Sequence, residues 1–192
     1  MHIAIISSST RQGRQSHRVA LALQQLLSQK QNLTAEVIDL LEYRFPVLEE
    51  VLVRNPNPPS GLENFSEKVQ KADALIFLSP EYNGSYTAAL KNAVDYLKEG
   101  AFTKKVIGVV SVTTGGLGGM RGAMQMQELV LGVSGYALPN MLLVPQVQLK
   151  FDEQGNLIDE KFEKNIQTFL QAFLWIAEAV YDKKNSVVAV AN

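Results

Sequence analysis

One segment of the chain, ALIFLSPEYNGSY at residues 74–86, changes its hydrophobic period midway. Its first five residues form a continuous apolar run of strand-favouring side chains, as expected for a strand that is covered on both faces. Pro80 should end this strand, because proline lacks the N–H group that a sheet ladder needs. After Gly84 the apolar residues recur at three- and four-residue spacing, which predicts a helix. The turn between them is in the right place to hold a ligand in an α/β sheet; an ordinary connection with Tyr82 as rim packing is the alternative.

The same alternation of short apolar runs and helix-period segments continues along the chain. This βαβα order predicts a parallel sheet covered by helices on both faces. The predicted strands are residues 3–7, 34–39, 74–79, 106–113 and 141–144. The predicted helices are residues 16–29, 62–71, 86–99, 120–134 and 159–181. Five strands in this order match the flavodoxin-like doubly wound α/β fold, whose strand order is 2-1-3-4-5, so the loops after strands one and three should face each other.

Length and composition predict one domain that handles small molecules. The chain has 192 residues, of which 46% are hydrophobic and 19% charged, which suits a single domain over residues 1–192. Its 18 basic and 19 acidic residues give a net charge of -1, so no overall field favours nucleic acid or a membrane surface. The chain has no cysteine, signal-peptide pattern or long apolar run, and we expect a cytoplasmic protein.

Two segments fall outside the alternation. Residues 54–61 are rich in Pro and Asn, and are predicted to form an irregular surface connection that acts either as a lid or as a passive loop. The last residues, from about 183 to 192, are predicted to be a tail or, with their three valines, a strand added to a sheet edge.

The first loop, SSSTRQGRQSHR at residues 7–18, has the composition of an anion site. A helix follows it at once, and the N-terminus of a helix offers unpaired N–H groups and a partial positive charge. Hydroxyl groups and Arg11 add side-chain donors, and no acidic residue precedes Glu36. Ser9, Arg11 and Ser16 are the strongest candidates, because they flank a tight turn at Gly13.

Other residues of the first loop have simpler interpretations. Arg14 and Arg18 are expected to be solvated side chains. His17 is ambiguous, and the chain's two histidines, His2 and His17, give no metal-binding pattern, so no metal site is predicted. The loop lacks the Gly-Lys-Ser/Thr ending of a Walker A sequence, which argues against nucleoside-triphosphate chemistry.

The third loop, TTGGLGG at residues 113–119, directly follows another apolar strand. Its glycines would let the backbone approach a ligand closely. The spacing does not fit Gly-x-Gly-x-x-Gly, and a flexible turn is the alternative interpretation. Its predicted position puts it on the same sheet edge as the first loop and the second loop, residues 79–86.

The chain resembles the NADPH-dependent FMN reductase family of flavodoxin-like proteins, which includes azoreductases, quinone reductases and chromate reductases. The resemblance extends from residue 3 to about residue 139. Its most specific element is SPEYNG at residues 79–84, followed by ALKNAVD at residues 89–95. The first loop is also similar to the family's phosphate loop.

The resemblance implies that three groups of residues bind FMN. Around the phosphate would lie Ser9, Arg11, Ser16 and His17. Along the isoalloxazine ring would run Pro80, Glu81, Tyr82, Asn83 and Gly84. At the ring's other edge would lie Thr114, Gly115 and Gly116. Arg11 would be the main charge partner, and the second loop would act mostly through backbone groups and the Asn83 amide.

One departure from the family pattern concerns the fourth predicted helix. Many members carry a Leu-Arg pair there, whereas this chain has Met126-Gln127. A cation that could meet a nicotinamide-dinucleotide phosphate is therefore missing. Arg121, one turn earlier, either substitutes for it or is solvated.

The resemblance implies an NAD(P)H oxidoreductase with a ping-pong reaction. NADPH or NADH would deliver hydride to the flavin and leave, and a quinone, azo compound, free flavin or similar acceptor would then take the electrons. No catalytic acid or base is assigned, and Glu81 is expected to contribute its backbone, with its carboxylate facing solvent. The alternatives are an electron-carrier flavodoxin and a non-catalytic FMN-binding module. Family members are usually dimers and sometimes tetramers, so the resemblance implies a homodimer or homotetramer. The broad apolar face of the last predicted helix is expected to pack against the chain's own sheet as core.

Overall fold

A parallel sheet forms the centre of the molecule, and the predicted strand order is confirmed. The computed structural model describes residues 1–98 and 100–190. The strands of the described part are β1 (His2–Ser7), β2 (Thr34–Asp39), β3 (Ala74–Pro80), β4 (Val106–Val112), β5 (Tyr136–Ala137) and β6 (Leu142–Val144). They pair in parallel in the order β2-β1-β3-β4-β5, and β6 also pairs with β4.

Helices cover both faces of this sheet, as the flavodoxin-like pattern predicts. The α-helices of the described part are α1 (Ser16–Ser28), α2 (Leu40–Tyr43), α3 (Leu62–Lys71), α4 (Ala88–Asp95), α5 (Met120–Gly132) and α6 (Glu163–Val190). Successive strand residues point to opposite faces, so Ile3 and Ile5 pack with α1 and α6, whereas Ala4 and Ile6 pack with α3, α4 and α5. Each face thus has its own apolar core.

The fifth sheet position differs from the single strand predicted at residues 141–144. Two short strands, β5 and β6, share this position, and the sheet therefore has six strands rather than five. Tyr136 pairs with Val106, whereas Leu142 pairs with Val110. Pro139 lies between the two strands, and its missing N–H group accounts for the interruption.

The helix predicted at residues 86–99 is shorter in the structure. It begins only at Ala88, because Thr87 is the N-cap and its hydroxyl accepts a hydrogen bond from the Leu90 N–H group. The regular helix ends at Asp95 and is followed by a turn. Residue 99, the predicted end, lies outside the described residues.

The last helix is longer than the predicted 159–181. A 3₁₀ turn at Glu160–Phe162 precedes α6, and α6 continues to Val190. Residues 183–190 are therefore helical rather than an added strand, the tail stays a prediction, and residues 191 and 192 lie outside the described residues. The interpretation of its apolar face as core is confirmed, since Ile166, Phe169 and Phe173 are buried against the sheet. No helix of the described part has the length and hydropathy of a membrane span.

The Pro- and Asn-rich connection at residues 54–61 consists of short turns leading into α3. The Asn57 N–H group donates a hydrogen bond to the Asn55 side-chain oxygen, and the Leu62 N–H group donates to the Pro59 carbonyl. None of these residues lines the loop cavity described below. The lid and the passive connection both stay predictions.

We predict that Gly108→Ala destabilises the fold, because β4 passes directly beneath two stacked phenylalanines of α6. A Cβ at residue 108 would lie 2.9 Å from Phe169 Cζ and 3.1 Å from Phe173 Cδ2. Overpacking of this kind costs about 1–3 kcal/mol in the free energy of unfolding. Urea unfolding followed by circular dichroism measures the change.

Gly132→Ala is the matched control, since its Cβ at the end of α5 would have no neighbour within 4 Å. Alanine in a helix is favoured over glycine by about 1 kcal/mol, so this variant should be at least as stable as the wild type. Equal stability of the two variants would contradict the packing account.

Candidate functional site

Three loops at the carboxyl ends of β1, β3 and β4 enclose one cavity of about 350 Å³, as the sheet topology predicts. We call it the loop cavity. Seven of the predicted site residues line it: Ser9, Arg11, Ser16, Pro80, Glu81, Tyr82 and Thr114. Five others lie outside its lining: His17, Asn83, Gly84, Gly115 and Gly116. Residues that line it without having been predicted are Gln12, Gly13, Arg14, Gln15, Val112, Thr113 and Val147.

The start of α1 offers unpaired polar groups to the loop cavity. Ser16 is the first residue of this helix, and its buried Oγ has no hydrogen-bond partner among the described residues. The Gln15 Oε1 atom is likewise buried and, within the same part of the chain, unpaired. No acidic residue occupies the first turn, so the partial positive charge of the helix N-terminus is not offset there. Buried polar groups normally have partners; an anion would supply an acceptor for the Ser16 hydroxyl, whereas the Gln15 oxygen needs a donor.

Arg14 is not the solvated side chain that the sequence predicts. Its guanidinium group pairs with both carboxylate oxygens of Asp39, at the end of β2, and donates a 2.9 Å hydrogen bond to the Ser9 carbonyl. Burial acts to raise the pKa of Asp39, but the bonds from Arg14 and from the Leu41 N–H group outweigh it, and the pKa is lowered. This ion pair uses the charge of Arg14, so Arg11 is the residue of the first loop that is placed to meet a ligand's charge.

Arg18 is also engaged with the protein. It donates a 3.0 Å bond to the Phe151 carbonyl and lies 3.4 Å from the Glu153 carboxylate. The solvated interpretation is therefore wrong for Arg18 as well. Both errors have one cause: the partners are 25 and 133 residues away along the chain, where sequence spacing gives no signal.

His17 lies behind the first loop rather than in the loop cavity. Its Nδ1 is 3.2 Å from the Ser7 hydroxyl and 3.6 Å from an Asp39 carboxylate oxygen. Burial and the neighbouring Arg14 lower the pKa of His17, against the opposite effect of Asp39 and Glu42. A neutral imidazole at neutral pH follows, which holds the loop by hydrogen bonding and adds little positive charge.

Tyr82 crosses the loop cavity from the second loop to the first. Its hydroxyl is 2.9 Å from the Ser9 Oγ, and the Arg11 guanidinium carbon lies 5.4 Å from the centre of its ring. The ring thus combines a hydrogen bond with a cation–π contact. Tyr82 therefore forms a flat aromatic wall beside Ser9 and Arg11, the two side chains best placed to bind an anion.

The tip of the second loop is a two-residue turn. Tyr82 and Ser85 exchange backbone hydrogen bonds of 2.8 and 3.1 Å, and Asn83 and Gly84 between them have φ of 52° and 84°. Positive φ at both central positions is the type I′ geometry, which strongly favours Asn-Gly. The structure therefore puts the Asn83 side chain at an exposed tip, and its identity is accounted for by the turn.

Glu81 differs from the prediction that its carboxylate faces solvent. The side chain is only 14% exposed, and its carboxylate accepts hydrogen bonds from Gly122 N–H at 3.1 Å and from the Arg121 guanidinium at 3.0 Å. Gly119, the N-cap of α5, has no side chain with which to cap the helix, and Glu81 supplies a cap from the second loop. Burial acts to raise the pKa of Glu81, but these bonds outweigh it and the pKa is lowered.

The missing cation of α5 is replaced by structural contacts. Met126 is fully buried, and Gln127 donates a 2.6 Å bond to the Leu138 carbonyl, where β5 ends. Arg121, the possible substitute, is paired with Glu81, although 76% of its side chain is exposed. These residues hold α5 against the sheet edge and the second loop.

The third loop is braced by the segment that follows β6. The Gln146 N–H group donates to the Gly115 carbonyl at 3.0 Å, and the Gln148 side chain donates to the Thr114 carbonyl at 3.3 Å. Gly119 is required, because its φ is 78° and a Cβ there would collide with the Ser111 hydroxyl. The same segment brings Val147 to the loop cavity, a contribution that no sequence motif indicates.

Comparisons with known proteins find similar sequences and a similar fold. A family model described as NADPH-dependent FMN reductase matches residues 1–153. A quinone reductase of Pseudomonas putida is 30% identical over 179 residues, which is 90% of each chain. An NAD(P)H-dependent FMN reductase of Pseudomonas aeruginosa is 33% identical over 123 residues, 62% of this chain and 66% of that protein. The structure of a flavoenzyme NAD(P)H:(acceptor) oxidoreductase from Paracoccus denitrificans shares the fold, with a TM-score of 0.78 and 23% identity over 93% of this chain and 97% of that one.

The capping role of Glu81 predicts a pH-dependent loss of stability in Glu81→Gln. The glutamine keeps the shape but loses the charge that faces Arg121 and the α5 N-terminus, at a cost of about 1 kcal/mol at neutral pH. Because the folded-state pKa lies below the unfolded one, the stabilisation is full above the ordinary carboxyl pKa of about 4.3 and disappears as pH falls through the lowered value. Urea unfolding of both proteins between pH 7 and pH 3 measures it.

Glu178→Gln, at an exposed position of α6, is the control and should change stability little at any pH. Because glutamine keeps the shape, a Glu81→Gln deficit that stays constant down to pH 3 would contradict a contribution from the ionised carboxylate.

Proposed function

The chain belongs to the NADPH-dependent FMN reductase family, and on that premise we propose that it binds FMN in the loop cavity and transfers electrons from NAD(P)H to small-molecule acceptors. One observation supports this most strongly. The buried Ser16 hydroxyl, which has no hydrogen-bond partner in the described part of the chain, stands at the N-terminus of α1, in the same cavity as the aromatic wall of Tyr82. A ligand that is both phosphorylated and planar satisfies both features.

The donors around the loop cavity fit the FMN phosphate. Arg11 supplies the charge, Ser9 and Ser16 supply hydroxyl groups, and the first turn of α1 supplies backbone N–H groups. Asp39, the acidic side chain at the end of β2 that lies beside the first loop, is neutralised by Arg14, and Glu81 in the cavity lining is paired with Arg121. The phosphate would thus meet donors without an unpaired carboxylate.

The other two loops fit a flat ring. Pro80, Glu81 and Tyr82 form one wall of the loop cavity, and Thr113 and Thr114 form another. FMN, when bound, supplies the chemistry of accepting a hydride from NADPH or NADH and passing electrons on. The chain's part is to hold and orient the ring, and the Glu81 bonds to α5 make the second loop a fixed support. A cytosolic enzyme fits the absence of cysteine from the sequence.

Quinones are the acceptor class that we propose, with azo compounds and free flavin as further acceptors. The quinone reductase of Pseudomonas putida supports this by its similarity over 90% of both chains. Glu81, the carboxylate of the loop-cavity lining, is committed to Arg121 and Gly122, so the proposal gives it no proton-transfer role. Quinones suit such a site, because they would take electrons from the flavin and protons from solvent.

The test of the function is a reconstitution followed by steady-state kinetics. The purified chain should bind FMN with a visible flavin spectrum and oxidise NADPH or NADH when a soluble quinone is added, with the parallel-line pattern of a ping-pong reaction. Bound FMN without turnover would favour a non-catalytic module. No bound flavin after reconstitution would overturn the proposal.

Arg11→Gln should weaken FMN about tenfold or more while leaving riboflavin, which lacks the phosphate, almost unaffected. The reason is that a charge-assisted bond to phosphate is worth about 1.5–3 kcal/mol. Fluorescence titration measures both dissociation constants. Arg54→Gln, an exposed arginine that does not line the loop cavity, is the control and should bind both ligands as the wild type does. Equal weakening of FMN and riboflavin in Arg11→Gln would exclude a phosphate contact.

We propose that the chain forms a homodimer through α5, either alone or as half of a homotetramer. Exposed apolar side chains follow one another at helical spacing along this helix and the loop before it: Leu117, Met120, Met124 and Leu131. An apolar stripe of this kind is costly to leave in water. Its start lies in the third loop, so the interface would adjoin the loop cavity.

Light scattering at micromolar concentration should give a dimer or tetramer mass for the wild type. The double variant Met124→Glu/Leu131→Glu should be dissociated to the monomer, because it places charges in the stripe. Trp175→Glu, which changes an exposed apolar side chain of α6, should keep the wild-type mass. A monomeric wild type would contradict the proposal.

A further inference from the structure

The geometry points to Thr87 as a positioning residue that fixes the spacing between the first and second loops, an inference that rests on the proposed FMN site. Thr87 is 4% exposed and does not line the loop cavity. Its hydroxyl donates to Ser8 Oγ at 2.9 Å, with the Ser8 carbonyl at 3.2 Å. Ser8 directly precedes Ser9, the hydroxyl proposed to bind phosphate.

Thr87 also holds the second loop. Its N–H group donates to the Ser79 Oγ at 3.0 Å, and that hydroxyl in turn donates to the Pro80 carbonyl at 3.0 Å. Ser8 and Ser79 are completely buried. A single residue therefore joins Ser8, directly before Ser9, to Ser79, directly before Pro80 of the cavity lining.

The third contact of Thr87 anchors this junction to a regular element. Its Oγ1 accepts the Leu90 N–H group at 3.2 Å as the N-cap of α4. The spacing of the two loops is thus tied to the start of a helix that packs on the sheet. Buried, fully satisfied hydroxyl networks are rigid, because breaking one bond leaves unpaired polar groups away from water.

The two loops touch again at the open side of the loop cavity, through Tyr82 and Ser9 at 2.9 Å. A phosphate bound to Ser9 would compete for that hydroxyl, whereas the Thr87 contacts lie behind the lining and are compatible with a ligand. Together with the 3.0 Å bond from Ser8 N–H to the Leu78 carbonyl, Thr87 is therefore a tie that can keep the walls at a constant distance in the free and the bound protein.

The test compares four variants by hydrogen exchange and by FMN titration. Thr87→Val keeps the shape and removes all hydroxyl contacts. Thr87→Ser restores them. Ser8→Ala removes the hydroxyl that receives the Thr87 bond and leaves the α4 cap intact. Ser66→Ala is the matched control, since it deletes a buried hydroxyl that is hydrogen-bonded to Gln70 within α3, outside the loop-cavity lining.

We expect faster amide exchange in residues 9–15 and 81–85 of ligand-free Thr87→Val and Ser8→Ala, together with FMN affinity weakened about tenfold and about fivefold. Thr87→Ser should bind FMN within about twofold of the wild type. Ser66→Ala should lose comparable stability in urea with unchanged loop exchange and FMN affinity.

Unchanged loop exchange in Thr87→Val and Ser8→Ala would overturn the positioning role, as would an equal effect in Ser66→Ala. If Thr87→Val does not fold, Ser8→Ala decides by the same criteria. A wild type that fails to bind FMN would instead remove the proposed function, and the exchange of the loops would still confirm or overturn the role of Thr87.

Discussion

The pairing of β1 with β3 is the constraint on which the site depends. These strands are adjacent in the sheet from Ile3 opposite Ala74 to Ser7 opposite Leu78, although about 70 residues separate them along the chain. Because parallel strands end at the same edge, the loops that follow must leave side by side. The chain after β1 enters α1 on one face, whereas the chain after β3 enters α4 on the other. The gap between them is the loop cavity.

Two carboxylates lie next to this gap, and the fold uses both internally. The Asp39 carboxylate accepts hydrogen bonds from the Arg14 guanidinium. The Glu81 carboxylate accepts hydrogen bonds from the Arg121 guanidinium and from the Gly122 N–H group at the start of α5. In each case the charge-assisted bonds lower the carboxyl pKa despite burial, so both groups stay ionised and paired at neutral pH. The positive electrostatic potential in the first loop then comes from Arg11 and from the N-terminus of α1, and it favours an anion. Each carboxylate is thus paired with its own arginine, which stabilises the fold and leaves the first loop suited to an anion.

The elements that sequence reasoning predicted well are those with strong periodicity. β2 and α3 have the predicted bounds, and the strand order follows from the βαβα alternation. The division of the fifth strand into β5 and β6 was missed. Both are short, Pro139 lies between them, and they are recognised as strands only by their pairing with β4. In the loop cavity, Ser9, Arg11 and Ser16 of the first loop were predicted from their local pattern. Val147 was not, because its segment follows β6 and reaches the site only through contacts with the third loop.

The sequence by itself determined the fold, the three loops that line the cavity and the family, since hydrophobic period, the SPEYNG turn and the acid-free first loop are all local patterns. Only the tertiary structure decided the roles of individual polar side chains. Glu81 became a helix cap, Arg14 an ion-pair partner, and Thr87 the junction of two loops, each through a partner 25 to 79 residues away. The physical reason is that a charged or hydroxyl group is defined by the groups that satisfy it, and folding alone brings those groups within hydrogen-bonding distance.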